Sequence, residues 1–162
     1  MGATVIGFEE LDRAFNEFTQ LFGVKAILAD EFQAFVHSGE VGYSVFFSTI
    51  GEEFFLANAE ARYPDIQADI GLWALMHEIG HIKTWGLWTE EEQDYFEHYT
   101  EEEIPEIEDD ETRYIAYFNT PIEFMATRWA GETMRREPAM IGAAWAKLQN
   151  AMMEFYRING LI

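Results

Sequence analysis

The sequence contains no cysteine in 162 residues. This absence excludes disulfide bonds and every metal site that depends on a thiolate, and it is typical of a protein in a reducing compartment. No run approaches the roughly eighteen consecutive apolar residues of a membrane span, and residues 1–13 lack the basic start and long apolar run of a secretory signal. We therefore expect a protein of the cytoplasm of a cell or host.

Basic residues are scarce. Ten Lys and Arg stand against thirty Asp and Glu, so the net charge is −20. Such a surface repels nucleic-acid phosphates, which excludes ordinary DNA or RNA binding and leaves partners that could be basic. Thirteen of the acidic residues lie between Glu90 and Glu111, with no Lys or Arg among them. We predict an acidic loop or insertion at about 89–111; the alternative is a specificity or partner-binding surface.

Apolar residues make up 49% of the chain, which is enough to bury a core at this length. No internal repeat or Gly/Ser linker is visible, so we predict one domain over residues 1–162. Phenylalanine and leucine recur at helical spacing from Phe8 to Phe22, and Gly23 follows as a stop. This pattern predicts an amphipathic N-terminal helix.

Residues 24–58 resemble β-structure, because short apolar runs and alternation replace the helical spacing. The candidate strands are VKAILAD, VGYSVFFST and IGEEFFLAN. The segment EFQAFVHSGE could be strand or helix, and a strand is preferred. Helical patterns return after residue 65 and continue to the C-terminus. The predicted fold class is α+β, with a mostly antiparallel sheet of three or four strands, an N-terminal helix, a central helix and two C-terminal helices. An edge of VGYSVFFST could bind a peptide as an added strand.

The segment ALMHEIGHIKTWG, residues 74–86, contains two histidines four residues apart. On a helix, His77 and His81 lie on one face and can both reach one metal ion. Glu78 lies about 100° further around the axis, where its carboxylate would approach a water on the ion. Gly80 is unfavourable inside a helix and indicates that a neighbouring strand or a bound metal approaches closely there. The segment therefore predicts a metal site rather than two unrelated histidines.

A catalytic zinc usually takes three protein ligands, so a third residue is needed. Glu123 is the preferred candidate, because Ala126 and Ala130 on the same helical face would allow close approach to the histidine helix. In the alternative interpretation, Glu123 only forms a capping box with Thr120. The weaker candidates for the third ligand are His37, His98 and Glu132.

HEIGH followed by EFMATRWA resembles the gluzincin metallopeptidases, in particular the small ImmA/IrrE-like group of bacteria and phages. The resemblance covers about residues 65–135. It implies a zincin-like α+β fold, zinc held by His77, His81 and Glu123, and peptide-bond hydrolysis with Glu78 as the general base. Thr127 departs from the pattern, since that group often has Asn or Asp at this position.

A metallopeptidase also needs a donor that stabilises the oxyanion. Tyr117 is the preferred donor, and the other candidates are Tyr95, Tyr99, Tyr114 and His98. The predicted function is a zinc metalloendopeptidase acting on a peptide or protein that could be basic, with no nucleic-acid or membrane partner.

The charge also supports a protein of a different class. An acidic decoy or inhibitor could mimic nucleic acid and bind a basic partner, with a structural or vestigial metal site. A metal-bound scaffold without turnover is a third reading. Metal content together with peptide cleavage would separate these hypotheses.

Overall fold

The computed structural model describes residues 7–29, 35–37, 40–44 and 52–160. Seven α-helices and three short strands lie in these ranges. The helices are α1 (Phe8–Thr19), α2 (Glu52–Arg62), α3 (Ile70–Thr84), α4 (Glu90–His98), α5 (Asp110–Phe118), α6 (Pro121–Arg136) and α7 (Pro138–Ile158). The strands are β1 (Ala26–Ala29), β2 (Phe35–His37) and β3 (Glu40–Ser44).

The predicted fold class, α+β with a mostly antiparallel sheet, is wrong. The described part of the protein is predominantly helical, and its strands contain only four, three and five residues. One of the two strand pairings is parallel, β1 with β3, and the other is antiparallel, β2 with β3. Within the described residues the core is built mainly by helices, and they do not form the zincin-like sheet that the family resemblance implies.

The segment IGEEFFLAN was expected to be a strand, but Glu52–Asn58 begins α2. Phe55, Ala59 and Tyr63 are buried four residues apart, which is the period of a helix face. The expected strand ended at Asn58. The Ala, Glu and Arg residues that follow have high helix propensity, so they favour a helix that continues past this point. The continuation to Arg62 makes the whole segment helical.

The segment VGYSVFFST offers no free edge where the structure describes it. β3 lies between β1 and β2 and pairs with both of them. The expectation that a peptide adds to this strand is therefore wrong for Val41–Ser44. Residues 45–49 lie outside the described residues.

The predicted N-terminal helix is present as α1, followed by a short 3₁₀ turn over Gln20–Phe22. Leu11, Phe15 and Phe18 form its buried stripe, and the Phe18 ring meets the Trp145 ring of α7 edge-on, with 6.1 Å between centroids. No helix within the described ranges combines the length and apolar character needed to cross a bilayer.

The N-terminus of α3 is fixed by Asp69, whose side chain accepts a hydrogen bond from the Leu72 backbone N–H at 2.9 Å. The same carboxylate accepts hydrogen bonds from Trp145 Nε1 at 3.1 Å and Gln149 Nε2 at 2.9 Å. This cap joins α3 to α7. Large apolar side chains then bury most of α3 in the core, among them Trp73, Leu75, Met76 and Ile79.

The acidic segment, defined as Glu90–Glu111, is largely helical. It contains α4, a π-helical turn over Tyr99–Glu103, a 3₁₀ turn over Ile104–Glu106 and the start of α5. Neither α4 nor the π-helical turn has a buried residue, and Ile104 is the first side chain after them that reaches the interior. The segment therefore lies on the surface as ordered helix.

Candidate metal site

α3 and α6 approach each other closely where both carry small residues. A Cβ built on Gly80 would lie 2.4 Å from the carbonyl oxygen of Ala126, closer than any real Cβ contact. Ala126 and Ala130 are fully buried in the same contact. The expected close approach to α3 at Gly80 is present, but the neighbour is the helix carrying Glu123 and not a strand or a metal ion.

We expect Gly80→Ala to destabilise the protein by about 1–3 kcal/mol, because the two helix backbones must separate to admit the methyl group. Gly142→Ala in α7 is the matched control, since nothing lies within 4 Å of its added Cβ. Alanine should stabilise that helix by up to about 1 kcal/mol through its higher propensity. Urea unfolding measures both free energies; similar values for the two variants would contradict the close contact.

The two histidines of α3 and the glutamate of α6 meet at one point. His77 Nε2 lies 2.7 Å from Glu123 Oε2, and His81 Nε2 lies 2.9 Å from the same oxygen. The imidazole rings of His77 and His81 are 4.6 Å apart between centroids. The side chains of His77, Glu123 and His81 are 6%, 11% and 14% exposed. The three side chains are therefore largely enclosed, and His81 is the most exposed of them.

His77, Glu78 and His81 form a group that could hold a metal ion, with ligand atoms within 4.8 Å of one another. Two carboxylates thus reach the imidazoles, one from α3 and one from α6. Glu123 is the nearer, because its Oε2 is within hydrogen-bond distance of both Nε2 atoms. Tetrahedral ligands at 2.0–2.1 Å from an ion are about 3.3 Å apart, so a separation of about half an ångström would admit one.

The Tyr117 hydroxyl donates a hydrogen bond to Glu123 Oε1 at 2.6 Å. It therefore orients the carboxylate whose other oxygen faces the histidines. Its predicted role as oxyanion donor stays a prediction. Among the other candidates, the Tyr114 ring stacks on Phe54 at 5.1 Å, and Tyr95 is 63% exposed.

Thr127 occupies the position that departs from the family pattern, and its Oγ1 lies 2.9 Å from His77 Nδ1. While Nε2 donates its proton to Glu123, Nδ1 accepts from the threonine hydroxyl. If an ion takes the Nε2 lone pair instead, Nδ1 carries the proton and donates to the same oxygen. A hydroxyl can do both, since it is donor and acceptor, so Thr127 orients His77 in either tautomer.

We expect Thr127→Val to lower the affinity for a metal ion about 10- to 100-fold, the usual effect of removing a partner that orients a ligand. Valine keeps the shape but cannot hydrogen-bond to His77 Nδ1. Thr127→Ser should restore most of the affinity, which a purely steric role would not require. Competition with a chromophoric chelator measures it. Equal affinities of wild type and Thr127→Val would show that this contact is dispensable.

Burial and mutual interaction shift the site's ionisation. Burial raises the pKa of Glu78, against the pull of the two histidines. Burial alone would lower the pKa of His81, but the Glu123 charge and hydrogen bond outweigh it and raise that pKa to about 9. Burial opposes ionisation of Glu123 as well, yet His81 and His77 hold its pKa below its ordinary value. Without an ion, the site is thus a buried imidazolium–carboxylate cluster.

Burial is also the main reason why the pKa of Tyr117 is raised, and the adjacent Glu123 carboxylate adds to it. The phenol therefore stays protonated and keeps donating to Glu123 throughout the physiological range. This donor compensates part of the cost of burying the carboxylate.

The other predicted ligands do not reach the site where the structure describes them. His98 is exposed and lies 3.6 Å from Glu102. Glu132 is half-exposed and pairs with Arg128 at 3.1 Å. His37 lies in β2, and its side chain is outside the described part of the chain.

The capping-box interpretation of Glu123 is wrong. Thr120 makes no side-chain hydrogen bond to the α6 backbone; its hydroxyl donates to the Tyr117 carbonyl oxygen at 2.8 Å. Pro121 at the first helical position removes one N–H that would need a cap. The glutamate side chain is therefore available to the histidines.

One residue at the site escaped the sequence analysis. The Phe55 ring packs edge-on against the His77 imidazole, with centroids 5.1 Å apart. It covers part of the His77 ring and limits its rotation. The i, i+4 spacing of Phe55 and Ala59 was the signal that could have placed it on a helix.

Comparison of the chain with protein-family models, with curated proteins and with solved structures gave no match.

Proposed function

We propose that the protein is a zinc-dependent metallopeptidase. The observation that supports this best is the convergence of His77 Nε2, His81 Nε2 and Glu123 Oε2, with the Glu78 carboxylate beside them. Two imidazoles and one carboxylate are the ligands of a common class of catalytic zinc site, which leaves one coordination position open. The partial exposure of His81 is consistent with such an opening.

Zinc bound there would lower the pKa of water towards about 7 and polarise a substrate carbonyl. His77, His81 and Glu123 would hold it, while Thr127 and Tyr117 orient two of these side chains. Glu78 would take a proton from the attacking water as its oxygen bonds to the carbonyl carbon. It would then return that proton to the amide nitrogen as the carbon–nitrogen bond breaks.

A binding function remains the competing hypothesis. An acidic protein with a structural metal site would bind a basic partner without cleaving it. The net charge of −20 favours such binding, and the helical, surface-exposed acidic segment would supply the contact. Turnover distinguishes the two hypotheses, since binding needs no general base.

Metal analysis and a peptide-library assay test the proposal together. After loading and desalting, we expect one zinc per chain and new peptide termini detectable by mass spectrometry. Chelation should stop cleavage, and added zinc should restore it. A protein that retains zinc but cleaves no member of a broad library would contradict the peptidase assignment and favour the binding function.

A further inference from the structure

Three large apolar side chains are exposed in the segment that follows the metal-site helix, two directly after it and one in α4. Trp85 is 49% exposed, Leu87 62% and Tyr95 63%. We call these three residues the apolar patch. Large apolar side chains exposed together at the edge of a polar region are typical of interaction surfaces.

The patch is held in place by hydrogen bonds between α4 and the turn before it. Gln93 Nε2 donates to the carbonyl oxygens of Trp85 and Trp88, at 3.3 and 3.1 Å. Thr89 begins α4 with a complete capping box. The Phe96 ring then contacts both Trp88, at 5.2 Å, and Tyr95, at 5.8 Å. The aromatic side chains are thus ordered against each other and not against the core.

The patch adjoins the candidate metal site. The Trp85 backbone N–H donates to the His81 carbonyl oxygen, so helical geometry continues from α3 to Trp85. Trp85 follows His81 by four residues and His77 by eight, which places all three on one face of the helix. Each step of four residues advances about 6 Å along the axis. A substrate that extends about two residues beyond the scissile bond could therefore reach Trp85.

The charge around the patch indicates what covers it. The acidic segment carries thirteen acidic residues, and the ion contacts described within it join Asp110 to Arg113 and Glu102 to His98. A second copy of the chain would bring an equally acidic segment against it, and nucleic acid or an anionic membrane would be repelled. A positively charged peptide segment with apolar side chains complements both features.

We propose that the apolar patch and the acidic segment together form a docking site for basic, apolar segments of the protein substrate, beside the scissile bond. This inference rests on the proposed peptidase function, because only then does the bound segment belong to a substrate. The apolar patch supplies the contact area, and the acidic segment selects the charge and accelerates encounter.

Binding is tested with labelled peptides of about 18 residues, five helical turns. The first carries Leu at helical spacing with Lys elsewhere, the second has Glu in place of Lys, and the third has Ser in place of Leu. Fluorescence anisotropy in the Glu78→Gln background, without added metal, measures binding independently of cleavage. We expect the Lys/Leu peptide to bind at least about tenfold more tightly than either of the others.

Two sets of variants each have a matched control. Trp85→Ala/Leu87→Ala/Tyr95→Ala removes the apolar patch, and its control removes three exposed apolar side chains elsewhere, Leu21→Ala/Met140→Ala/Met153→Ala. The second set neutralises four exposed acids of the acidic segment: Glu91→Gln/Asp94→Asn/Glu97→Gln/Glu101→Gln. Its control neutralises four exposed acids elsewhere: Glu9→Gln/Glu10→Gln/Glu60→Gln/Glu137→Gln.

The apolar-patch variant and the acidic-segment variant should each bind the Lys/Leu peptide at least about tenfold more weakly, the effect of losing interface anchors. Both controls should bind it like the parent protein. Equal weakening by the controls would mean that net charge or general hydrophobicity suffices, and it would overturn the proposal. So would a dimer, seen by sedimentation, that the apolar-patch variant dissociates. Selective binding without any peptidase activity would refute the proposed function alone; cleavage without selective binding would refute the docking site alone.

Discussion

Glu78→Gln should abolish peptide hydrolysis while the protein keeps its zinc. The amide has nearly the same shape as the carboxylate but cannot take a proton from water at neutral pH. Loss of a general base lowers the rate by about 100- to 10,000-fold. The zinc content should not change, because His77, His81 and Glu123 supply the proposed ligands and remain intact.

Cleavage of a library-derived fluorogenic peptide, with zinc quantified in the same samples, measures this effect. Glu132→Gln is the control, since Glu132 is half-exposed on α6 and pairs with Arg128 away from the site. It should match wild type in rate and zinc content. A Glu78→Gln protein that cleaves at the wild-type rate would assign the base to another group. One that loses its zinc would make Glu78 a ligand, as its place within 4.8 Å of the histidines also permits.

Glu123→Ala should release most of the zinc. The substitution removes the one carboxylate oxygen that contacts both imidazoles, and it leaves the Tyr117 hydroxyl without its acceptor. Removing a partner behind a ligand already costs about 10- to 100-fold in affinity, so loss of the ligand itself should exceed about 100-fold. The emptied acceptor position should also cost about 1–3 kcal/mol of stability, because buried donors lose their partner.

Glu123→Gln separates the two effects. Glutamine preserves the volume and an acceptor oxygen but carries no charge, so the fold should be retained while zinc affinity falls strongly. Competition against a chelator gives the affinities, and circular dichroism checks the helical content. Glu132→Ala, nine residues further along α6, is the matched control and should bind zinc like wild type. Full zinc occupancy in folded Glu123→Ala would refute the assignment of Glu123 as a ligand.

The predicted fold was wrong in segments whose short-range pattern fits both a strand and a helix. Glu52–Asn58 contains an apolar run short enough for a strand, and only its continuation to Arg62 gives the period of a helix. β1 and β3 were expected in a mostly antiparallel sheet, but strand pairing depends on contacts between distant residues that no local pattern records. The α1 pattern was read correctly, because its apolar side chains repeat over four turns.

The sequence singled out Glu123 as a candidate partner of the histidines, but it could not show that the two elements meet, for a related reason. Four residues between His77 and His81 place two imidazoles on one face wherever that segment is helical, and this needs no knowledge of the rest of the chain. Glu123 lies 42 residues after His81, and Thr127 50 residues after His77, so their meeting depends on which helices pack together. The small residues hinted at a close approach, but they did not fix its angle or register.

From the sequence alone follow the two histidines on one helix face, the adjacent carboxylate, the absence of thiolate ligands and the strongly acidic surface. These are local or additive properties, set by helix geometry and by residue counts. The tertiary structure decided the rest: the contact of Gly80 with Ala126 brings α6 close enough for one Glu123 oxygen to face both imidazoles. The Thr120 hydroxyl donates to Tyr117 and forms no capping box with Glu123. Such convergence depends on how whole helices pack, because hydrogen bonds are lost over shifts of less than an ångström.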